Sequence, residues 1–262
     1  MAGTEALSVT TDRRGARTLT LRRPERHNAL DAGLIGALLF QLETLERDPG
    51  VRVLILTGSG ESFCGGGDLD WFTALAGPES HAEEIKQFAL MLQTLHGLSK
   101  PSIARVQGSA YGGGMGLIAC CDLAIASDSA RFALTELRLG LLPAMIAPYL
   151  LQAIGARETR RLAISAEVIG AGEALRIGLV HQVVEAGALD RALDIHIEHV
   201  LKSAPGAIAE FKHLVANHSP LPHGDFDTAE ALLARLRGSP EAREGIAAFA
   251  EKRKPYWQDT PA

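Results

Sequence analysis

The chain is poor in the features that define several large classes of protein. Its 262 residues include only 3 cysteines, Cys64, Cys120 and Cys121, which form no disulfide framework. No apolar stretch approaches the roughly twenty residues that span a bilayer. The net charge of −5 provides no surplus of lysine and arginine for neutralising phosphates. We therefore expect neither a membrane nor a nucleic acid as a partner.

Targeting signals are also missing from the first residues. Met1 to Ala6 have neither the basic-then-apolar layout of a secretion signal nor the arginine-rich character of an organelle presequence. We expect a reducing, cytoplasmic location, which suits free cysteines. With 47% hydrophobic residues, the chain has enough apolar surface to bury a substantial core.

Two glycine triplets are the most informative feature that is present. Gly65–Gly67 and Gly112–Gly114 each follow a predicted strand, at 53–57 and 102–106, and each precedes a segment that can open a helix. Amides at a helix start are unpaired and favour negative charge. Because glycine lets a ligand approach the backbone closely, two such turns can direct two N–H groups at one oxygen, such as a carbonyl becoming an enolate.

Other interpretations of the triplets are weaker. The glycines can simply allow tight turns and close helix packing, and one triplet alone would favour that explanation. Neither triplet is followed by the Gly-Lys-Ser/Thr of a phosphate loop, and neither has the spacing of a dinucleotide fingerprint. Nucleotide-hydrolysing and dinucleotide-dependent enzymes are therefore disfavoured.

The remaining pattern predicts strand, turn and helix in succession up to about residue 126, and then mostly helix. Asp31 is placed to cap a helix with an apolar stripe, and a second helix is predicted from about His81 to Leu98. Four amphipathic helices follow residue 180, and their faces need partners beyond one sheet. The apolar stripe of the Asp31 helix comprises Leu34, Ile35, Leu38, Leu39, Leu42 and Leu45. Of the four later helices, the first has a face of Leu189, Ala192, Leu193, Ile197 and Leu201, and the second has a face of Ala207, Ile208, Phe211, Leu214 and Val215. The last two are predicted near 227–236 and 240–249.

Five ordered motifs run along nearly the whole chain, namely Leu21–Leu30, Phe63–Leu69, Gly108–Gly114, Phe132–Glu136 and Glu251–Lys254. Together they resemble the crotonase superfamily of enoyl-CoA hydratases and isomerases. The resemblance implies an α/β fold with a crotonase-like ββα superhelix core in residues 1–200. It also implies a C-terminal helical region for trimerisation in residues 201–262, and homotrimers that often pair as hexamers.

The resemblance further implies an acyl-CoA site. The backbone amides of Gly67 and Gly113 would hold the thioester oxygen, and Glu136 would be the catalytic acid and base. Without this context, Glu136 would be interpreted as a solvated glutamate that pairs with Arg138. Burial by Phe132, Leu134, Leu141 and Leu142 is expected to raise its pKa.

CoA itself is part of the substrate, so no separate cofactor and no metal is expected. Contacts to the acyl-CoA are implied for Glu25, Arg26, His27, Gly65, Asp68, Leu69, Tyr111, Gly112, Gly116 and Lys252. Lys252 can equally be a solvated basic helix end. Trp71, Tyr111 and Tyr149 are candidates for lining the acyl pocket, although core packing explains them equally well.

Gly116 departs from the family pattern. Conventional hydratases have a second glutamate there, and the two carboxylates hold the attacking water jointly. Three outcomes stay open: hydration with Glu136 alone, movement of the double bond, or binding without turnover.

The segment Phe132–Tyr149 looks like that of bacterial methylglutaconyl-CoA and carboxygeranoyl-CoA hydratases, which serve leucine and acyclic-terpene breakdown. We therefore expect a hydro-lyase acting on a branched or carboxylated enoyl-CoA. An isomerase and a non-catalytic acyl-CoA binder are the alternatives. Arg138 and Arg131 are the nearest candidates for pairing with a second carboxylate, although either can be an ordinary surface residue.

Overall fold

A computed structural model describes residues 6–74, 81–218 and 239–255. The strands are β1 (Leu7–Thr11), β2 (Ala16–Leu21), β3 (Val53–Gly58), β4 (Ser62–Cys64), β5 (Ser102–Val106), β6 (Ser109–Tyr111), β7 (Leu123–Ser127), β8 (Arg131–Ala133), β9 (Ile169–Gly170) and β10 (Gln182–Val184). The α-helices are α1 (Ala32–Arg47), α2 (Leu69–Ala74), α3 (His81–His96), α4 (Gly113–Cys120), α5 (Ala147–Ser165), α6 (Ala171–Arg176), α7 (Leu189–Leu201), α8 (Pro205–His218) and α9 (Pro240–Ala250). Short 3-10 helices occupy Pro24–Arg26, Glu136–Leu139 and Ala186–Ala188.

Two sheets organise the described residues. The larger has the order β1-β2-β3-β5-β7-β10, and all its pairings are parallel except that of β1 with β2. The smaller has the order β4-β6-β8-β9 and is parallel from β4 to β8. Three times the chain leaves the larger sheet and enters the smaller one directly, from β3 to β4, β5 to β6 and β7 to β8. This recurrence agrees with the ββα order that the family resemblance implies.

The parallel pairing in the small sheet decides where the glycine triplets lie. Cys64 in β4 pairs with Ala110 in β6, and Tyr111 in β6 pairs with Ala133 in β8. Since parallel strands end at the same edge, the segments that follow these strands emerge side by side. Those segments are the first triplet, the second triplet and the approach to Glu136.

Helices cover both faces of the larger sheet. Strand β3 is buried along its whole length, as expected for a parallel strand packed on both faces. Helix α7 packs Leu189, Ala192 and Ile197 on one face, and α1 belongs to the main core on the other.

The predicted cap of α1 is confirmed. The side chain of Asp31 accepts a hydrogen bond from the amide of Leu34 at 2.8 Å, and it also pairs with Arg23 at 2.7 Å. The predicted stripe is buried apart from Leu39, which is partly buried.

The sequence missed three short strands. The chain beyond residue 127 is mostly helical, as predicted, but it also contains β8, β9 and β10. These strands have two or three residues each, too few to show an alternating pattern. The helix predicted from about His81 to Leu98 spans His81–His96, and the helix predicted near 227–236 lies outside the described residues. On α8, Phe211, Leu214 and Val215 are exposed.

No helix within the described ranges combines the length and the apolar character needed to cross a membrane. The domain boundary at residue 200 stays a prediction.

Helix α9 packs against the 3-10 helix Glu136–Leu139 at two glycines. A Cβ atom on Gly245 would lie 2.8 Å from the carbonyl carbon and oxygen of Leu139. A Cβ atom on Gly140, which has φ of +68°, would lie 2.8 Å from the amide nitrogen of Ala242. The two backbones therefore touch directly, and any side chain at either position would separate them.

We predict that Gly245→Ala destabilises the protein, although alanine is the better helix former. The clash with Leu139 should cost more than the helix propensity gained, with a net loss of about 1–2 kcal/mol in the free energy of unfolding. The matched control is Gly172→Ala in α6, where no atom lies within 4 Å of the added Cβ. Urea denaturation should show that the control is unchanged or more stable. Equal stability of the two variants would contradict the close packing of α9.

Candidate active site

A cavity of about 850 Å³ opens where the two glycine turns meet the 3-10 helix Glu136–Leu139. Most of the site residues identified in the sequence line it, namely Glu25, Arg26, His27, Gly65, Gly67, Asp68, Leu69, Tyr111, Gly112, Gly113 and Glu136. Gly116 and Lys252 are not part of the lining.

The two glycine turns lie against each other. Gly66 has φ of +99°, and a Cβ atom there would lie 3.1 Å from the carbonyl oxygen of Tyr111 and 3.9 Å from the amide nitrogen of Gly113. A side chain at Gly66 would therefore force the turns apart. Glycine is required here for both its conformation and its size.

Hydrogen bonds to Leu30 fix the first turn and leave the amide of Gly67 available. The amide of Leu30 donates to the carbonyl of Gly66 at 2.7 Å, and the carbonyl of Leu30 accepts from the amide of Asp68 at 2.8 Å. The amide of Gly67 lies between these bonds and donates to no other described residue.

Gly113 supplies the corresponding amide in the second turn. It is the first residue of α4, where an N–H has no partner within the helix, and its amide also donates to no other described residue. Both unpaired amides thus belong to residues that line the same cavity.

The carboxylate of Glu136 lies directly over Gly112. Gly112 has φ of +47°, and a Cβ atom there would lie 2.6 Å from Oε1 of Glu136. Glu136 opens its 3-10 helix three residues after the end of β8, and the amide of Gly112 donates to the carbonyl of Ala133 at 2.9 Å. The small sheet therefore holds the acid next to the second turn.

Burial raises the pKa of Glu136 to about 7, against a weaker opposing effect of hydrogen bonds from its own amide and that of Thr135. Oε2 is buried and has no hydrogen-bond partner among the described residues. Leu141 and Leu142 line the cavity as predicted, whereas Phe132 and Leu134 lie in the core and not in its lining. Arg138 lines the cavity, but no ion pair between it and Glu136 occurs within the described ranges.

The space in front of Gly116 is filled by Ile146. A Cβ atom on Gly116 would lie 2.2 Å from Cγ2 and 2.7 Å from Cβ of Ile146. Ile146 lines the cavity, and Gly116 is buried behind it. The described residues thus place hydrocarbon where a second carboxylate would start.

The rest of the wall near Glu136 is mainly apolar. Trp71 belongs to it as predicted, but Tyr149 is fully buried and lies outside it. The sequence reasoning missed Phe88, Met145, Ile146 and Phe249 as lining residues. Phe88 and Phe249 lie outside the motifs, and Met145 and Ile146 lie within the segment Phe132–Tyr149, where ordinary apolar residues carry no signal of their own.

Charged and polar residues also occur in the lining and next to it. Arg26 pairs with Asp70 at 2.6 Å, and both side chains are exposed, so the pair contributes little to stability. Asp68 is buried and pairs with Arg23 at 3.0 Å. Nδ1 of His27 lies 3.0 Å from Oγ of Ser62. Within the described part of the chain, Arg131 bonds the nearby carbonyls of Asp128, Ser129 and Ala130, and it does not line the cavity.

Nucleophile and metal chemistry have little support in the described ranges. Cys64 is buried, and desolvation raises the pKa of its thiol to about 12, which keeps it protonated and unreactive. No group of three or more potential metal ligands occurs in the part of the chain that the structure describes. His196 bonds Gln182 instead, at 2.9 Å.

Comparison with known proteins decides the family. The sequence profile of the Enoyl-CoA hydratase/isomerase family matches residues 12–260. The chain belongs to this enzyme family. It is 34% identical over 244 residues to an (E)-benzylidenesuccinyl-CoA hydratase of Thauera aromatica, which covers 92% of this chain and 94% of that protein.

A further relative and a solved structure are also similar to this chain. A hydroxycinnamoyl-CoA hydratase-lyase of Pseudomonas fluorescens is 39% identical over 150 residues, 55% of this chain and 54% of that protein. The crystal structure of an enoyl-CoA hydratase from Mycobacterium avium matches with a TM-score of 0.87 and 33% identity, over 97% of this chain and all of that one. The crotonase fold expected from the sequence is therefore confirmed.

We predict that Glu136→Gln stabilises the protein increasingly as the pH rises. Because the folded pKa of Glu136 is about 7 and its ordinary value is 4.5, ionisation in the folded state opposes folding of the wild type. The cost is absent below the unfolded pKa, grows between about pH 4.5 and pH 7, and is then constant.

Urea denaturation across this range measures the effect. The stability of Glu136→Gln relative to wild type should rise by an amount on the order of 2 kcal/mol from pH 4.5 to 7.5. A constant offset from the buried amide would not affect this slope. A difference independent of pH would show that the carboxyl is not desolvated.

Proposed function

We propose that this protein hydrates the 2,3 double bond of a branched or carboxylated enoyl-CoA, with Glu136 as the single acid and base. The observation that carries the proposal is the position of the Glu136 carboxylate, which lies over Gly112 beside the unpaired amide of Gly113. Charge stabilisation and proton transfer can then occur at adjacent points of one ligand.

The amides of Gly67 and Gly113 would accept the thioester oxygen. Addition of water at C3 shifts electrons from the double bond towards this oxygen, which develops negative charge. Each preorganised donor is typically worth about a hundredfold to a thousandfold in rate. Removal of either amide would therefore lower the reaction rate more than the affinity for CoA.

Glu136 would move both protons. Its carboxylate takes a proton from the attacking water as the C3–O bond forms, and the resulting acid delivers a proton to C2 as the enolate collapses. Water adds as OH and H, and Glu136 returns to its starting state. A pKa of about 7 suits this alternation, because neither form is strongly favoured near neutral pH.

The acyl group would occupy the apolar part of the cavity. Its wall includes Phe88, Leu142, Met145 and Ile146, and Arg138 adds a positive charge to the lining. Arg138 is thus available to a second carboxylate on the acyl chain. The names of the Thauera and Pseudomonas relatives denote substituted acyl groups, and the segment Phe132–Tyr149 resembles hydratases of methylglutaconyl-CoA and carboxygeranoyl-CoA.

CoA would extend from the glycine turns to the mouth. Glu25, Arg26, His27 and Leu69 line that end of the cavity and support this placement. Lys252 is exposed and outside the lining, so a role in phosphate binding rests on the family resemblance alone.

A double-bond isomerase is the alternative function. It is favoured by the single carboxylate and by Ile146, since moving a proton between C2 and C4 needs one base and no bound water. A protein that binds acyl-CoA without turnover is the remaining outcome.

Enoyl-CoA substrates in ¹⁸O-labelled water and in D₂O separate these functions. We expect ¹⁸O in the product hydroxyl at C3 and deuterium at C2, both read by mass spectrometry. A shifted double bond with deuterium but no ¹⁸O would establish isomerisation instead. Unchanged substrate across branched, carboxylated and linear enoyl-CoAs would leave only binding.

We predict that Glu136→Gln lowers kcat by about a hundredfold to ten-thousandfold while acyl-CoA still binds, because the amide keeps the shape but cannot take a proton. Steady-state kinetics gives the loss, and calorimetric titration with a saturated acyl-CoA gives the affinity. Glu43→Gln, on the exposed side of α1, is the control and should match the wild type. Activity retained in Glu136→Gln would exclude Glu136 as the base.

We also predict that the chain assembles into homotrimers or paired trimers. Phe40, Ile164, Phe211 and Leu214 are each more than half exposed, which leaves apolar surface for neighbouring subunits. Light scattering after gel filtration should give three or six times the 27.8 kDa of one chain. A monomeric mass would contradict this assembly.

A further inference from the structure

Ile146 and Gly116 fit together as a pair. Cγ2 of Ile146 occupies the place of a side chain at Gly116, since it lies only 2.2 Å from where a Cβ atom would stand. Ile146 is 2% exposed, and its side chain meets the cavity on one side and α4 on the other. The glycine is thus required by the isoleucine, and the isoleucine forms a wall.

This wall is held firmly. The amide of Ile146 donates to the carbonyl of Pro143 at 3.2 Å, and its carbonyl accepts from the amide of Leu150 at 3.1 Å, in the first turn of α5. The neighbouring Met145 is also buried. The backbone of Ile146 is therefore fixed, and its side chain is packed among buried neighbours.

Its position along the ligand follows from α4. Gly116 lies three residues after Gly113, which is about 4.5 Å along the helix axis. A carbonyl oxygen at the Gly113 amide would place the α- and β-carbons of the acyl group at a similar distance. Ile146, which packs against Gly116 of α4, thus faces the reacting carbons, whereas Glu136 lies over Gly112.

We infer that Ile146 is a specificity-determining residue, which selects acyl groups with an apolar substituent on the β-carbon. This inference rests on the proposed function for the reaction, but the selection itself acts in binding. A linear chain leaves the hydrocarbon of Ile146 uncovered, whereas a β-methyl group covers it. A polar β-substituent would lose its hydration against this wall without gaining a hydrogen bond.

The test compares affinities for butyryl-CoA and isovaleryl-CoA, which differ by one β-methyl group and are not hydrated. Calorimetric titration of the wild type should favour isovaleryl-CoA by about tenfold, as expected for one methyl group in an apolar pocket. Ile146→Ala should reduce this ratio to near one. Ile118→Ala is the matched control, because Ile118 is equally buried on α4 but does not line the cavity.

A second pair of variants tests the contact with Gly116. Gly116→Ala should push the Ile146 side chain into the cavity and lower the affinities for butyryl-CoA and isovaleryl-CoA about tenfold. Gly116→Ala with Ile146→Gly should recover butyryl-CoA binding, because only Cα of residue 146 then remains near, 3.8 Å from the new Cβ.

The inference is overturned if Ile146→Ala keeps the ratio of isovaleryl-CoA affinity to butyryl-CoA affinity within twofold of the wild-type ratio. This outcome can be read even if Gly116→Ala fails to fold. The parallel measurement of kcat/KM for crotonyl-CoA and 3-methylcrotonyl-CoA separates the two proposals. A changed binding ratio without any turnover supports the role of Ile146 and removes the hydratase. Turnover with an unchanged affinity ratio supports the hydratase and removes the role of Ile146. Absence of acyl-CoA binding overturns both proposals.

Discussion

The close approach of two backbones at Gly66 and Gly113 is the contact on which the site depends. It exists because β4 and β6 are parallel neighbours, so that the turns after them emerge together. The same strand order brings β8 alongside and delivers Glu136 to Gly112. A side chain at Gly66 or Gly112 would enter space already taken by a carbonyl or a carboxylate. The site therefore needs glycine at positions 66 and 112 as much as it needs the side chain of Glu136.

Glu136 shows the compromise that such a site makes. A desolvated carboxyl group with one oxygen unpaired among the described residues weakens folding once it is ionised. The same desolvation makes it a better base and acid near neutral pH. Structural stability alone would favour an apolar residue or a paired one at this position.

The sequence predicted those parts of the molecule that depend on local chemistry. The capping carboxylate of Asp31 indicates the start of its helix, and the spacing of the leucine stripe indicates the buried face. The two turns are indicated by their glycine content. The short strands β8 to β10 escaped prediction because two or three residues cannot show a period. Ile146, Phe88 and Phe249 escaped because their importance comes from what they touch across the fold. Gly116 could be recognised as a departure, but the residue filling its space lies thirty positions away in the chain.

The packing of α9 on the 3-10 helix has a consequence for the order in which the molecule matures. The strands and turns that carry the amides are all present by residue 133, yet the segment bearing Glu136 rests on Gly245 and is backed by Ala242. During synthesis, the core can assemble from earlier parts of the chain while the acid still lacks its support. Helix α9 would therefore complete the support of the Glu136 segment, and the site would reach its final shape only after that helix has left the ribosome.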